Sequence, residues 1–119
     1  MRIASTTVVH GISAAVERAR KAAAHTSKIE VEVKNMAEID EALAVGAEIL
    51  LLDNMNHEQL KAAVEKAQGK ALLEVSGGVT LEQIRRVADL GIDVISMGAL
   101  THSAPAADIS LLFEEEAQA

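Results

Sequence analysis

Gly46, Gly69 and Gly91 stand at intervals of about 22 residues, each where a helical apolar pattern ends and a short apolar run begins. A glycine there can take the left-handed conformation that closes a helix. A period of this length suits one strand plus one helix, and repeated βα units build a parallel sheet. The residues between the glycines agree. Ile3 to Val9 reads as a first strand rich in Thr and Val, followed by Ile12, Ala15, Val16, Ala19 and Ala23 at helical spacing. Lys28 to Lys34 alternates Ile29, Val31 and Val33 with Glu30 and Glu32, giving a strand with one polar face. Met36, Ile39 and Leu43 mark a second helix behind the cap pair Asn35 and Glu38. Ile49 to Leu52 is a buried strand, and Leu60, Val64 and Ala67 mark a helix that Asn56 can cap. Ala71 to Val75 is the fourth strand. Leu81, Ile84, Val87 and Ala88 form the next helix behind a Thr80/Gln83 capping box, and Val94 to Met97 is the fifth strand. Pro105 suits the first turn of a final helix, and Glu114 to Glu116 a solvated helix end.

Five βα units predict an α/β fold with an all-parallel sheet, in one domain over residues 1–119. Two architectures accommodate them. One is a flavodoxin-like, doubly wound open sheet of order 2-1-3-4-5. The other is part of a (βα)₈-type barrel, which five strands cannot close and to which a homodimer would bring ten. The charged alternate positions of the second strand suit an edge, and the β-branched first strand suits a centre, so the doubly wound sheet is the expectation.

Composition narrows the function. Half of the 119 residues are hydrophobic, yet Phe113 is the sole aromatic, which fits a fragment or a redesigned chain better than a self-contained enzyme. The formal net charge of −7 argues against nucleic-acid partners and anionic membranes, and no apolar run approaches a membrane span. The lack of cysteine excludes disulfide and thiolate chemistry, and a cytoplasmic setting is expected. His10, His25 and His57 are scattered without metal-ligand spacing, and Met36, Met55 and Met97 suit core filling.

The chemistry-bearing residues gather at two strand-to-helix turns. Ser76-Gly77-Gly78 follows the fourth strand, and Gly98-Ala99-Leu100-Thr101-His102-Ser103-Ala104-Pro105 follows the fifth. Adjacent glycine-bearing turns can aim backbone N–H groups and a helix N-terminus at one anion, so phosphate, sulfate or a phosphorylated sugar is the expected ligand class. Asp53 ends an apolar strand, where catalytic acids often stand, although Asp53-Asn54 also reads as a turn. Glu32 can be a ligand or a solvated position of the strand face. Glu74 suits pairing with a cation such as Lys70, or a rim.

From about residue 11 to 112 the chain resembles the C-terminal barrel region of the quinolinate phosphoribosyltransferases. The resemblance rests on Lys28-Ile29-Glu30-Val31-Glu32-Val33, Ile49-Leu50-Leu51-Leu52-Asp53-Asn54-Met55, Leu73-Glu74-Val75-Ser76-Gly77-Gly78 and the 98–105 stretch. That family couples quinolinate to phosphoribosyl pyrophosphate in NAD synthesis, releasing pyrophosphate and carbon dioxide. The resemblance implies that Glu32 and Asp53 lie near the ribose hydroxyls and the Mg²⁺ of the phosphoribosyl donor. It implies that Ser76, Gly77, Gly78, Gly98, Ala99 and His102 surround the 5′-phosphate. No cofactor is required otherwise, and Mg²⁺ enters only with the donor. The strand before the first helix carries a lysine and an Asp-Asn-His stretch in the family, where this chain reads Ile3-Ala4-Ser5-Thr6-Thr7-Val8-Val9. The expectation is therefore a fragment or engineered derivative, inactive alone, with residual phosphate or phosphoribosyl pyrophosphate binding. An inert structural or designed domain and a partial subunit of an active transferase are the alternatives.

Overall fold

A computed structural model describes residues 2–3 and 11–97. Within them the chain runs β1 (Arg2–Ile3), α1 (Gly11–Ala22), β2 (Glu30–Val33), α2 (Met36–Ala44), β3 (Ile49–Asp53), α3 (His57–Ala67), β4 (Leu72–Ser76), α4 (Leu81–Ala88) and β5 (Val94–Ser96). The rest of the expected first strand, the 98–105 stretch, the Pro105 helix and the acidic tail lie outside the described residues. No described helix is long and apolar enough to cross a membrane.

The five strands are parallel and lie in the order β1-β2-β3-β4-β5. The α/β class and the all-parallel sheet agree with the sequence; the doubly wound order does not. β2 hydrogen-bonds to both β1 and β3, so it is no edge strand, and β1 stands at the end of the order rather than at its centre. The physical reason is that right-handed crossovers between successive neighbours deliver every helix to the same face. This consecutive winding is that of the barrel alternative. The charges of β2 mark the face that carries none of the described helices, because an edge strand and a one-sided interior strand share the same two-residue alternation.

Burial shows the one-sidedness. Val31 and Val33 of β2, Leu50 and Leu52 of β3, and Leu73 and Val75 of β4 join Ile12 and Val16 of α1, Ile39 and Ala42 of α2, Leu60 and Ala63 of α3, and Val87 of α4 in one core. α2 packs against both α1 and α3. The alternate strand positions project the other way. Glu30, Glu32, Ile49, Asp53, Glu74 and Ser76 are half-buried there, while Leu72 and Val94 are 41% and 46% exposed.

Local signals hold the helices in place. Asn35 Oδ1 accepts from the Glu38 N–H at 3.0 Å. Asn56 and Gln59 cap each other reciprocally at 2.9 Å, and the Thr80 N–H donates to Gln83 Oε1 at 3.1 Å. Gly46, Gly69 and Gly91 take φ of 71°, 74° and 93° at the ends of α2, α3 and α4. Contacts between distant residues complete the frame. Glu41 of α2 caps α1, its Oε1 accepting from the Ser13 N–H at 3.0 Å and the Ser13 hydroxyl at 2.9 Å. Glu48, just before β3, accepts from the Ile29 N–H and from Arg20, both at 2.9 Å. Asp93, just before β5, repeats the device by accepting from the Leu73 N–H at 2.8 Å.

Hydrogen bonds from the Ser13 N–H and hydroxyl hold the Glu41 carboxyl below its ordinary value of 4.5. For Glu48, burial pushes upward, but the hydrogen bonds from Arg20 and Ile29 and the charge of Arg20 outweigh it, and the net shift is also downward. Both groups favour the folded state while ionised. Their stabilisation is complete above the ordinary value and is lost as pH falls through the lower folded values. Glu48→Gln should cost about 1 kcal/mol at neutral pH. Its thermal midpoint should then fall less than that of the parent chain between about pH 5 and pH 3. Thermal unfolding followed by circular dichroism checks both; equal acid sensitivity of the two chains would refute the account. Leu50→Ala, in the centre of the core, should cost about 3 kcal/mol. Glu32→Gln, on the helix-free face, should change stability by less than about 0.5 kcal/mol. Urea titrations of the two variants measure the contrast.

Candidate functional site

The C-terminal ends of parallel strands carry the free backbone of the strand-to-helix turns and the positive ends of the following helices. In this chain that rim meets the helix-free face at a row set by strand register. Asp53 of β3 pairs with Ser76 of β4, which pairs with Ser96 of β5. One step toward the N-terminal ends lies the row Glu32, Leu51, Glu74 and Val94. Glu32 and Asp53 are diagonal neighbours on adjacent strands, roughly 8 Å apart between Cα atoms. The fold therefore brings Glu32, Asp53 and Ser76 to one face and one end of the sheet, each half-buried.

The turn after Ser76 is shaped for close backbone approach. Gly77 takes φ of 102°, and its carbonyl accepts from the Val79 N–H at 2.7 Å. A Cβ placed on Gly77 or Gly78 would meet nothing within 4 Å. The turn lies just ahead of α4, whose N-terminus favours an anion. The preceding turn is tight as well, with Asn54 at φ 51°, so Asp53 ends its strand against a left-handed residue. Asp53-Asn54 is thus a turn, and the register leaves Asp53 on the helix-free face.

Gly98, Ala99 and His102 lie outside the described residues. One polar residue of this face, Ser96, went unassigned in the sequence. Ser96 donates its hydroxyl to Glu74 Oε1, two strand positions below the Gly77 turn. The alternation of β5 alone could have flagged Ser96, as it falls in step with Val94. Among the strand positions of β2 to β5 on this face none is basic. Arg18, Arg20, Lys21, Lys61, Lys66, Arg85 and Arg86 are all exposed on the helices. Among the described residues no group of three or more His, Cys, Asp or Glu could hold a metal by itself. Two carboxylates, Glu32 and Asp53, do fit a hard cation such as Mg²⁺, which takes one or two protein carboxylates and completes its shell with water and phosphate oxygens.

The family model "Quinolinate phosphoribosyl transferase, C-terminal domain" matches residues 2–112, so the match takes in β1 and begins before residue 11. The human nicotinate-nucleotide pyrophosphorylase [carboxylating] is 46% identical over 110 residues, covering 89% of this chain and 37% of the human one. The probable enzyme of that name from Methanocaldococcus jannaschii is 43% identical over 108 residues, covering 85% of this chain and 38% of its own. The crystal structure of nicotinate-nucleotide pyrophosphorylase from Ehrlichia chaffeensis superposes with a TM-score of 0.79 at 34% identity, over 87% of this chain and 38% of that one. The chain thus spans little more than a third of the length of these relatives. It belongs to the quinolinate phosphoribosyltransferase family, and what it matches is that family's C-terminal domain.

Proposed function

We propose that this chain is the phosphoribosyl-holding portion of a quinolinate phosphoribosyltransferase, and that alone it binds phosphate or phosphoribosyl pyrophosphate without turning quinolinate over. The observation that carries the reading is the register that sets Glu32, Asp53 and Ser76 on one helix-free face beside the open Gly77–Gly78 turn. The turn amides and the α4 N-terminus hold the 5′-phosphate, with Gly98, Ala99 and His102 as further contacts. Glu32 and Asp53 would accept the ribose hydroxyls and hold the Mg²⁺ that accompanies the donor, which would supply charge neutralisation for the pyrophosphate group.

The inactivity is electrostatic. Quinolinate is a dianion, and its carboxylates need fixed cationic partners once water is stripped from them. The helix-free face of β2 to β5 offers carboxylates and hydroxyls, and the chain carries a net charge of −7. Incubation with quinolinate, phosphoribosyl pyrophosphate and Mg²⁺ should yield no nicotinate mononucleotide by chromatography, and measurable product would overturn this part of the reading.

Binding should be weak, with a dissociation constant on the order of 1 mM. In an NMR titration, inorganic phosphate should shift the Gly77 and Gly78 amides to saturation. Phosphoribosyl pyrophosphate should do the same and bind more tightly with Mg²⁺ present. Glu32→Gln and Asp53→Asn should remove the Mg²⁺ enhancement while leaving phosphate binding intact. Absence of localised shifts up to tens of millimolar, or an enhancement untouched by both variants, would count against it.

A further inference from the structure

A second concavity opens on the opposite side of the same turn. Between α3 and α4, above the C-terminal ends of β3 and β4, lies a cleft of ≈ 560 Å³, a size typical of small-molecule sites. Its floor is apolar, made by Leu52, Leu60, Val75 and Val87 from the core side of the sheet and the inner faces of the two helices. His57, Gln83 and Arg86 line it from the first turn of α3 and from α4. Toward the other end of the helix pair a separate cleft of ≈ 540 Å³ opens around Val64, Leu73 and Gly91.

Charge decides what such a cleft takes. Arg86 is exposed and makes no hydrogen bond or ion pair through its guanidinium with another described residue. Glu58 and Glu82, the acids in the first turns of α3 and α4, do not line the cleft. The oxygen of Gln83 accepts the Thr80 N–H, which leaves its amide nitrogen as a donor. The polar wall therefore offers donors, while the floor offers only hydrocarbon. A hydrated phosphate gains little against such a floor. A ligand with an apolar body and one carboxylate satisfies both parts, since a guanidinium pairs with a carboxylate in a two-pronged geometry.

We propose that this cleft is a binding site for small amphipathic carboxylates, distinct from the phosphoribosyl site and bordering it along the 76–79 turn and the first turn of α4. The inference stands on the cleft's own lining and does not rest on the phosphoribosyl reading. The probe is 4-phenylbutyrate, titrated into the isotope-labelled chain and compared with 4-phenylbutanol, which has the same body without the charge. The acid should shift the amides of His57, Gln83, Arg86 and Val87 to saturation, with Glu32 and Asp53 unmoved. The alcohol should bind at least fivefold more weakly. Arg86→Glu, an exposed change that spares the core, should weaken the acid by at least fivefold and leave the alcohol unaffected; a spectrum otherwise like the parent's verifies its fold. Equal binding of acid and alcohol, an acid affinity unmoved by Arg86→Glu, or shifts confined to Gly77 and the helix-free face would each overturn the proposal, as would no localised shift.

Discussion

Right-handed crossovers between successive parallel strands can lay their helices on only one face of a sheet. In this chain that rule divides the strand residues into two populations. Val31, Val33, Leu50, Leu52, Leu73 and Val75 disappear beneath the helices, and the residues between them are left facing the other way. The core supplies the stability, while the second population, the buried Leu51 apart, is released from packing duties and can carry carboxylates and hydroxyls. Glu32, Asp53, Glu74 and Ser96 share a surface for this reason. Each is only one residue away in sequence from a position that must be apolar or must turn.

The units themselves were plain in the sequence because their signals are local. Capping by Asn35, Asn56 and Gln83 acts over three residues, and the left-handed glycines act at single positions. Helix and strand periodicities were equally plain. Strand order was not, since period-two charge in β2 describes an edge strand and a one-sided interior strand equally well. The carboxylates that stitch the units together were also invisible. Glu41 reaches 28 residues back to Ser13, Glu48 reaches 19 back to Ile29, and Asp93 reaches 20 back to Leu73. At the site, motif resemblance singled out Glu32, Asp53 and the Ser76-Gly77-Gly78 turn. The partnership of Ser96 with Glu74 and the nearness of Arg86 to a cleft depend on pairing and helix rotation, which single-residue signals do not encode. Arg86 in particular reads in sequence as an ordinary solvated helix position.

The Ser76–Val79 turn has two sides of different chemistry. At Gly77 and Gly78 it leaves open space where a side chain would begin. Toward the helices, Val75 and Val79 back it with hydrocarbon.

Glu48 and Asp93 occupy equivalent places, two residues after Gly46 and Gly91 and one before a strand, and each grips the backbone of the preceding strand. The Asp93 grip joins its unit to the one before, and Glu48 reaches both Ile29 in the unit before and Arg20 of α1 one unit farther back. The energetics are then local, with each term confined to a unit and its near neighbours. Loss of α4 and β5 breaks the tie between Asp93 and Leu73 but leaves that between Glu48 and Ile29 whole. Such a chain can shorten or lengthen by whole units without rewiring those that remain, so a stretch covering a little over a third of its relatives' length can keep their backbone path.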